Sequence, residues 1–320
     1  MQYKPLELIV LRDAAGNPVD YRDSRETREM RRHLTELNDA LLSQQVGLKD
    51  RIIREGDRLD NGGRAQSQLH RVFHRGDFAN GGRFYGGHWQ NIPAEGGRDT
   101  ITINGEPTVE IDYRGLHIRL LYQEAGKQMP ADPYDVDGWP RKQAKLALLI
   151  AINARSHMSA VRALADALRR DVPDPFTTAD RLLKAVKAKH PDIAWALASD
   201  AGVRLMRKDS ELAERIMLET VRAIGIVPLA VHDSFIVPSS HEGRLIETME
   251  SIVGTTRPNS LVGTALNLEP TFLLCFQQPP RKRFHNMGSK YLPLVDAGWV
   301  GVLLRRSFLS WWLSCQLSFE

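Results

Sequence analysis

Hydrophobic positions along this chain change period several times, and each change marks an element. Met30, Leu34, Leu37 and Leu41 recur every three or four residues within 22–60, a spacing that predicts an amphipathic helix. Ser24 is the candidate N-cap. Thr27 stands three residues on, where an acid or amide would complete a capping box, so no box is expected. From Thr100 to Tyr113 polar and apolar residues alternate around Asn104-Gly105, which predicts a hairpin. Residues 115–126 and 141–170 read as helices, Pro173 and Pro175 interrupt, and 177–189 and 199–224 read as two more. A strand, a turn and a second strand follow over 226–237, then a helix from about 241. Helices and antiparallel strands mix without a regular βαβ alternation, so the expected class is α+β.

Two stretches resist the periodic reading. Within 61–98, "NGGR" occurs at 61–64 and 80–83 and "GGR" again at 96–98, which predicts a loop-and-arm region built on glycine turns. Such repeats also resemble RNA-contacting Arg-Gly segments, but Phe84, Tyr85 and Trp89 favour folded structure. From 279 onward, "QPPRKRF" reads as a linker and "SFLSWWLSCQLSFE" as an apolar tail without assignable function.

Composition narrows the class. The 320 residues are 42% apolar and 26% charged, a globular rather than disordered balance. Two cysteines, Cys275 and Cys315, supply neither a disulfide framework nor a four-ligand zinc site, so a reducing cytoplasm is the expected compartment. The N-terminal apolar run is too short for a signal segment, and residues 291–304 fall short of a bilayer span, so no membrane partner is expected. His70 and His74, four apart, could share a helix face, but no metalloprotease-type glutamate or nearby cysteine accompanies them.

Charge is segregated. Residues 22–60 hold nine Arg/Lys and nine Asp/Glu, a balanced, solvated face. Residues 139–190 hold eleven Arg/Lys and four Asp, a net of +7 against +4 for the whole chain. Arg141 and Lys145 lie four apart on one helix face there, with Leu146, Leu149 and Ile150 supplying apolar contacts. This basic block sits in sequence between two carboxylates. Asp112 ends the strand of "VEIDYRGLHIR", and Asp233 occupies the turn of "AVHDSFIV", between runs that call for burial. Two carboxylates so placed can converge in one sheet and hold two Mg²⁺ ions about 3.5–4 Å apart for phosphoryl or nucleotidyl transfer. Turn geometry alone also favours Asp at such a position, and a basic helix is often only a solvated face.

Three motifs in order resemble the palm and fingers of family A DNA polymerases and phage-type single-subunit RNA polymerases. "DYRGLHIR" (112–119) is similar to motif A at Asp112, Tyr113 and Arg119, and conservatively at Leu116 and Ile118. "RKQAK" (141–145) matches the Arg-x-x-x-Lys of motif B. "VHDS" (231–234) matches motif C in the form carried by the RNA polymerase branch. "SDAGVRLMRKDSELAERIMLETVRAIGI" resembles the long helix leading into motif C, and "GGRFY" (81–85) a Gly-Arg-x-Tyr arm element. The likeness covers roughly 70–240.

The resemblance implies a right-hand palm with an antiparallel sheet and compact helical fingers. It implies a helical, thumb-like region over 1–70, a palm over 71–278 with fingers inserted at about 127–200, and a separate tail over 279–320. Asp112 and Asp233 would be the catalytic, metal-binding pair for Mg²⁺ or Mn²⁺. Arg141 and Lys145 would hold the triphosphate, with His232 at the primer terminus and Tyr113 among the substrate-binding residues. The implied activity is template-directed addition of nucleoside triphosphates to a nucleic-acid 3′ end on a DNA template, RNA being possible in its place. Leu149 and Asn153 depart from motif B, where an aromatic or Met and then a Tyr are usual. His117 stands where DNA polymerases carry the glutamate that excludes a 2′-hydroxyl. RNA polymerase activity, a non-catalytic nucleic-acid-binding palm and a two-metal phosphodiesterase are the competing readings.

Overall fold

A computed structural model describes residues 7–49, 51–59, 64–94, 96–253 and 262–264. Helix α1 (Arg25–Ser43) buries Met30, Leu34, Leu37 and Leu41, the stripe that its period predicts. Its N-terminus carries a capping box after all. The Thr27 N–H donates to Ser24 Oγ at 3.1 Å, and the Ser24 N–H donates to Thr27 Oγ1 at 2.9 Å. A threonine hydroxyl serves here as the acceptor a glutamate would otherwise provide.

The described part of 7–59, expected to be helical, also contains four short strands: β1 (Ile9–Arg12), β2 (Pro18–Val19), β3 (Val46–Leu48) and β4 (Arg51–Ile53). Their partners lie far along the chain, so no local period announces them. Strands β5 (His70–His74) and β6 (Asp77–Tyr85) replace the expected loop-and-arm region. With β1 and β2 they form a sheet of order β2-β1-β5-β6, in which β1 and β5 run parallel. Gly82 keeps β6 looking like a loop in sequence, and packing explains it. A Cβ at Gly82, where φ is +90°, would meet Phe73 Cε1 at 2.7 Å and Ser210 Oγ at 2.9 Å.

The second sheet is antiparallel throughout. Strands β7 (Ile101–Ile103) and β8 (Glu106–Tyr113) form the predicted hairpin, and Asn104 and Gly105 both have positive φ, as a tight two-residue turn requires. Strands β9 (Leu229–Val231) and β10 (Ser234–Pro238) complete the order β4-β3-β7-β8-β10-β9, and β11 (Val262–Thr264) pairs with the end of β8.

Helix α2 (Leu116–Glu124) follows β8 directly. The single helix expected over 141–170 is two, α3 (Arg141–Asn153) and α4 (His157–Ala167), because Ser156 caps the second against Ser159. Helix α5 (Pro175–Lys189) starts at a proline behind the Asp174 cap. Helix α6 (Ala201–Ile224) packs along β6, α1 and helix α7 (Glu242–Val253). The fold is therefore mixed α+β with largely antiparallel sheets. Among the described residues no helix is long and apolar enough to cross a membrane. Both cysteines and the 279–320 tail lie outside the described residues.

Candidate active site

Strands β8 and β10 set the site. Their register places Ser234 opposite Asp112, and β9 and β10 join through a two-residue turn, His232-Asp233. Both flanking runs are fully buried, so the turn is held on a rigid ladder and brings the Asp233 carboxylate beside that of Asp112. On its other edge Asp112 faces Gly263 of β11. Burial, then the Asp233 charge, then that of Glu110 push the Asp112 carboxyl up to about 8, and Lys145 opposes them. The Asp233 carboxyl is also raised, by burial and by Asp209, against the pull of Arg83 and His117. Two acids far apart in sequence are therefore both desolvated at this strand end, and Lys145 of α3 acts on Asp112 as well.

A second layer of charge lies beneath them. Arg83 of β6 donates to Asp209 Oδ2 of α6 through Nε (2.8 Å) and Nη2 (2.6 Å), and His117 Nε2 of α2 lies 3.9 Å from the same oxygen. Burial alone would raise the Asp209 carboxyl; Arg83 and His117 reverse this and hold it below the ordinary range. Beside it Arg71, wholly buried, donates to Gly82 O, Glu214 and Ser210 between the rings of Phe73 and Phe84. On β8, Glu110 accepts from Arg98 Nε at 2.8 Å and from the Ser234 hydroxyl. Ser234 thus ties β10 to the residue two before Asp112.

His232 adopts φ +59° in the turn. Burial and the nearby Arg83 depress its pKa to about 3, so it is a neutral imidazole at physiological pH, and its Nε2 is buried without a hydrogen-bond partner. A small cavity lined by Arg83, Asp209, Ser210 and His232 has about 10 Å³ of space, roughly one water.

The cations come from α3. Arg141 Cζ lies 5.1 Å and Lys145 Nζ 5.7 Å from the centre of the Tyr134 ring. Asp132 pairs with Arg141 Nε at 2.9 Å. Of the residues singled out in sequence, Asp112, Asp233, His232 and Lys145 gather here, with Arg141 one helical turn from Lys145. Tyr113 goes elsewhere. It is 2% exposed and its hydroxyl donates to Met249 O at 2.8 Å, anchoring β8 on α7 rather than facing a substrate. His70 and His74 lie on a strand, not a helix, and burial lowers the pKa of both.

Sequence reading missed Glu110, Arg98, Asp209 and Tyr134. The strand period of two gave a signal for Glu110, which shares a face with Asp112. The other three show themselves only through tertiary contact.

Among the described residues no group of three or more His, Cys, Asp or Glu side chains is assembled that could hold a metal ion. The donor set is a pair of carboxylates, and Asp112 Oδ1 is buried with no hydrogen-bond partner. Such an orphaned oxygen beside a second acid fits a cation, whose charge would favour the ionised carboxylate, and Mg²⁺ is commonly held by one or two carboxylates plus substrate phosphates. No protein-family model matches the chain, and no curated protein matches it.

Proposed function

We propose that this chain is a template-directed nucleotidyltransferase with a polymerase-like palm, adding nucleotides to a nucleic-acid 3′ end. In this reading the β8–β10 sheet with α2, α6 and α7 is the palm, and α3, α4 and α5 are compact fingers. One observation carries it: Ser234 pairs with Asp112 across β8 and β10, so Asp233 in the adjoining turn and Lys145 of α3 both bear on the buried Asp112 carboxyl.

Asp112 and Asp233 would hold divalent ions such as Mg²⁺, which supply charge neutralisation at the transferring phosphoryl group. The chain's own groups supply the rest. Lys145 and Arg141 bind the triphosphate, and Lys145, whose charge acts on Asp112, offsets charge on the departing pyrophosphate. Neutral His232 offers a hydrogen bond toward the strand end without adding a competing positive charge. Ser234 and Glu110 keep the two acid-bearing strands in register.

A second reading, a palm that binds nucleic acid without polymerising, is favoured by one feature of α3. Asn153, where motif B usually has Tyr, turns its amide back onto Leu149 O at 2.8 Å. Extension of primed and unprimed DNA templates with dNTPs or NTPs, with and without Mg²⁺, separates the two. Metal-dependent extension abolished by Asp112→Ala and by Asp233→Ala supports the first. Salt-dependent binding with no incorporation under any metal supports the second. Full extension by both variants removes the site.

A further inference from the structure

The segment between α2 and α3, residues 125–140, has no regular structure yet is tightly held. Its Pro133 carbonyl accepts from His190 Nε2 at 2.8 Å, and His190 Nδ1 meets the Tyr122 hydroxyl at 2.9 Å, all of it buried. This fixes the loop to both α2 and the end of α5. Within the loop, Asp132 Oδ1 accepts the Tyr134 N–H at 2.9 Å, and its two oxygens take Arg141 Nε at 2.9 Å and Nη2 at 3.4 Å. Arg141 holds this carboxyl below the ordinary range, so it is ionised at neutral pH. The Tyr134 ring lies under both Arg141 and Lys145. Its hydroxyl reaches to 2.8 Å from where a Cβ on Gly115 would sit, so only glycine lets the ring approach the end of β8.

We propose that Asp132 is a positioning residue for the polyphosphate end of the substrate, bracing Arg141 directly and Lys145 through Tyr134 beside Asp112. The proposal rests on reading Arg141 and Lys145 as phosphate-facing cations. Long basic side chains lose rotamer freedom when a ligand orders them, and groups held beforehand lose less. Asp132 could instead compete with phosphate for Arg141. The brace is the better account, because the carboxylate is built into the turn that sets Tyr134 and is not a dangling surface acid. An ion pair as exposed as this one contributes little to stability, so its effect belongs to binding.

The test is calorimetric binding of inorganic triphosphate to the full chain in Mg²⁺ buffer, with melting temperature as the folding control. Asp132→Ala is expected to weaken binding about tenfold, as for loss of one charge-assisted contact. Asp132→Asn, which still accepts the Tyr134 N–H, is expected to lie between it and wild type. Melting temperatures should match, and in extension assays Asp132→Ala should raise KM for the nucleotide with kcat nearly unchanged. Unchanged or tighter binding by Asp132→Ala, while Arg141→Ala weakens it, overturns the brace and leaves the phosphate reading standing. Wild-type binding by Arg141→Ala and Lys145→Ala instead overturns the phosphate reading and the brace with it.

Discussion

Ser234 is the cross-strand partner of Asp112, so the residue before it, Asp233, is delivered by the ladder itself to the side of a second buried carboxylate. Like charges sharing a desolvated site oppose folding, and a bound cation relieves them. Asp112→Asn is therefore expected to raise the metal-free melting temperature by about 1–2 °C, the shift of roughly 1 kcal/mol in a chain of this size. Mg²⁺ should raise the wild-type melting temperature and leave that of Asp112→Asn nearly unmoved. Equal responses of the two proteins to Mg²⁺ would show that the ion binds elsewhere.

The Arg83–Asp209 pair couples the glycine-rich strand β6 to α6, with Asp209 only 2% exposed. Removing Arg83 leaves the buried Asp209 with only His117 beside it, 3.9 Å away, and breaking a buried pair in this way costs about 3–5 kcal/mol. Arg83→Met is expected to destabilise by that order in denaturant unfolding. The double variant Arg83→Met/Asp209→Leu should recover most of the loss, since apolar groups of similar volume leave no orphaned charge. If the double variant is as unstable as the sum of the singles, the two residues do not act as a pair.

Local pattern carried the helices and the hairpins a long way. The Met30-to-Leu41 stripe, the Asn104-Gly105 turn and the two apolar runs around His232-Asp233 each state their structure within a dozen residues. Strands β5 and β6 do not, because Gly81 and Gly82 are there for close approach to Phe73, His74 and Ser210, and glycine reads as loop. The break between α3 and α4 was hidden because Ser156 and Ser159 cap each other, a pairing with no acid to mark it. At the site, the two aspartates were legible because each sits at a strand end. Their neighbours were not: Asp209 lies on α6 among exposed charges that look the same in sequence, and Tyr134 sits in a loop without period. Tyr113 adjoins Asp112 in sequence, yet the strand pleat sends it to the opposite side, into the core.

Gly202, in the first turn of α6, faces Asn153 at the end of α3. A Cβ there would fall 1.9 Å from Asn153 Oδ1 and 2.7 Å from its Cγ. The helices cannot simply part, because the Ala198 N–H donates to Ala151 O at 2.6 Å and the Asp200 N–H to Ala154 O at 2.8 Å. On helix propensity alone Gly202→Ala would stabilise by up to about 1 kcal/mol. The clash reverses the sign, and a net loss of about 1–3 kcal/mol is expected. Asn153→Ala removes the offending atoms, so Gly202→Ala should cost much less in that background. A double-mutant cycle by urea unfolding reads the coupling, and additivity would refute the contact.

His190 gives the fold a pH dependence with a defined sign. Its Nε2 faces the Pro133 carbonyl, which can only accept, so that nitrogen carries the hydrogen and Nδ1 accepts from the Tyr122 hydroxyl. A neutral ring is then fully satisfied, and burial, with Lys189 nearby, lowers its pKa below 6.5 against the pull of Pro133 O. Above pH 6.5 neither folded nor unfolded chain binds this proton, and stability is unaffected. Below it the unfolded chain takes up a proton that the folded chain refuses, so stability falls, by at most about 1.4 kcal/mol per pH unit for one histidine. Burial shifts His70, His74, His88 and His232 the same way. The raised Asp112 and Asp233 carboxyls act in the opposite sense over this range, so the His190 contribution is read from the difference between wild type and variant. His190→Gln lacks this titration. It should be less stable than wild type at pH 7.5, with the gap narrowing as pH falls to 5.5. Parallel profiles over that range would mean that the imidazole protonates in place, and that the buried anchor of the Asp132 loop is not held neutral.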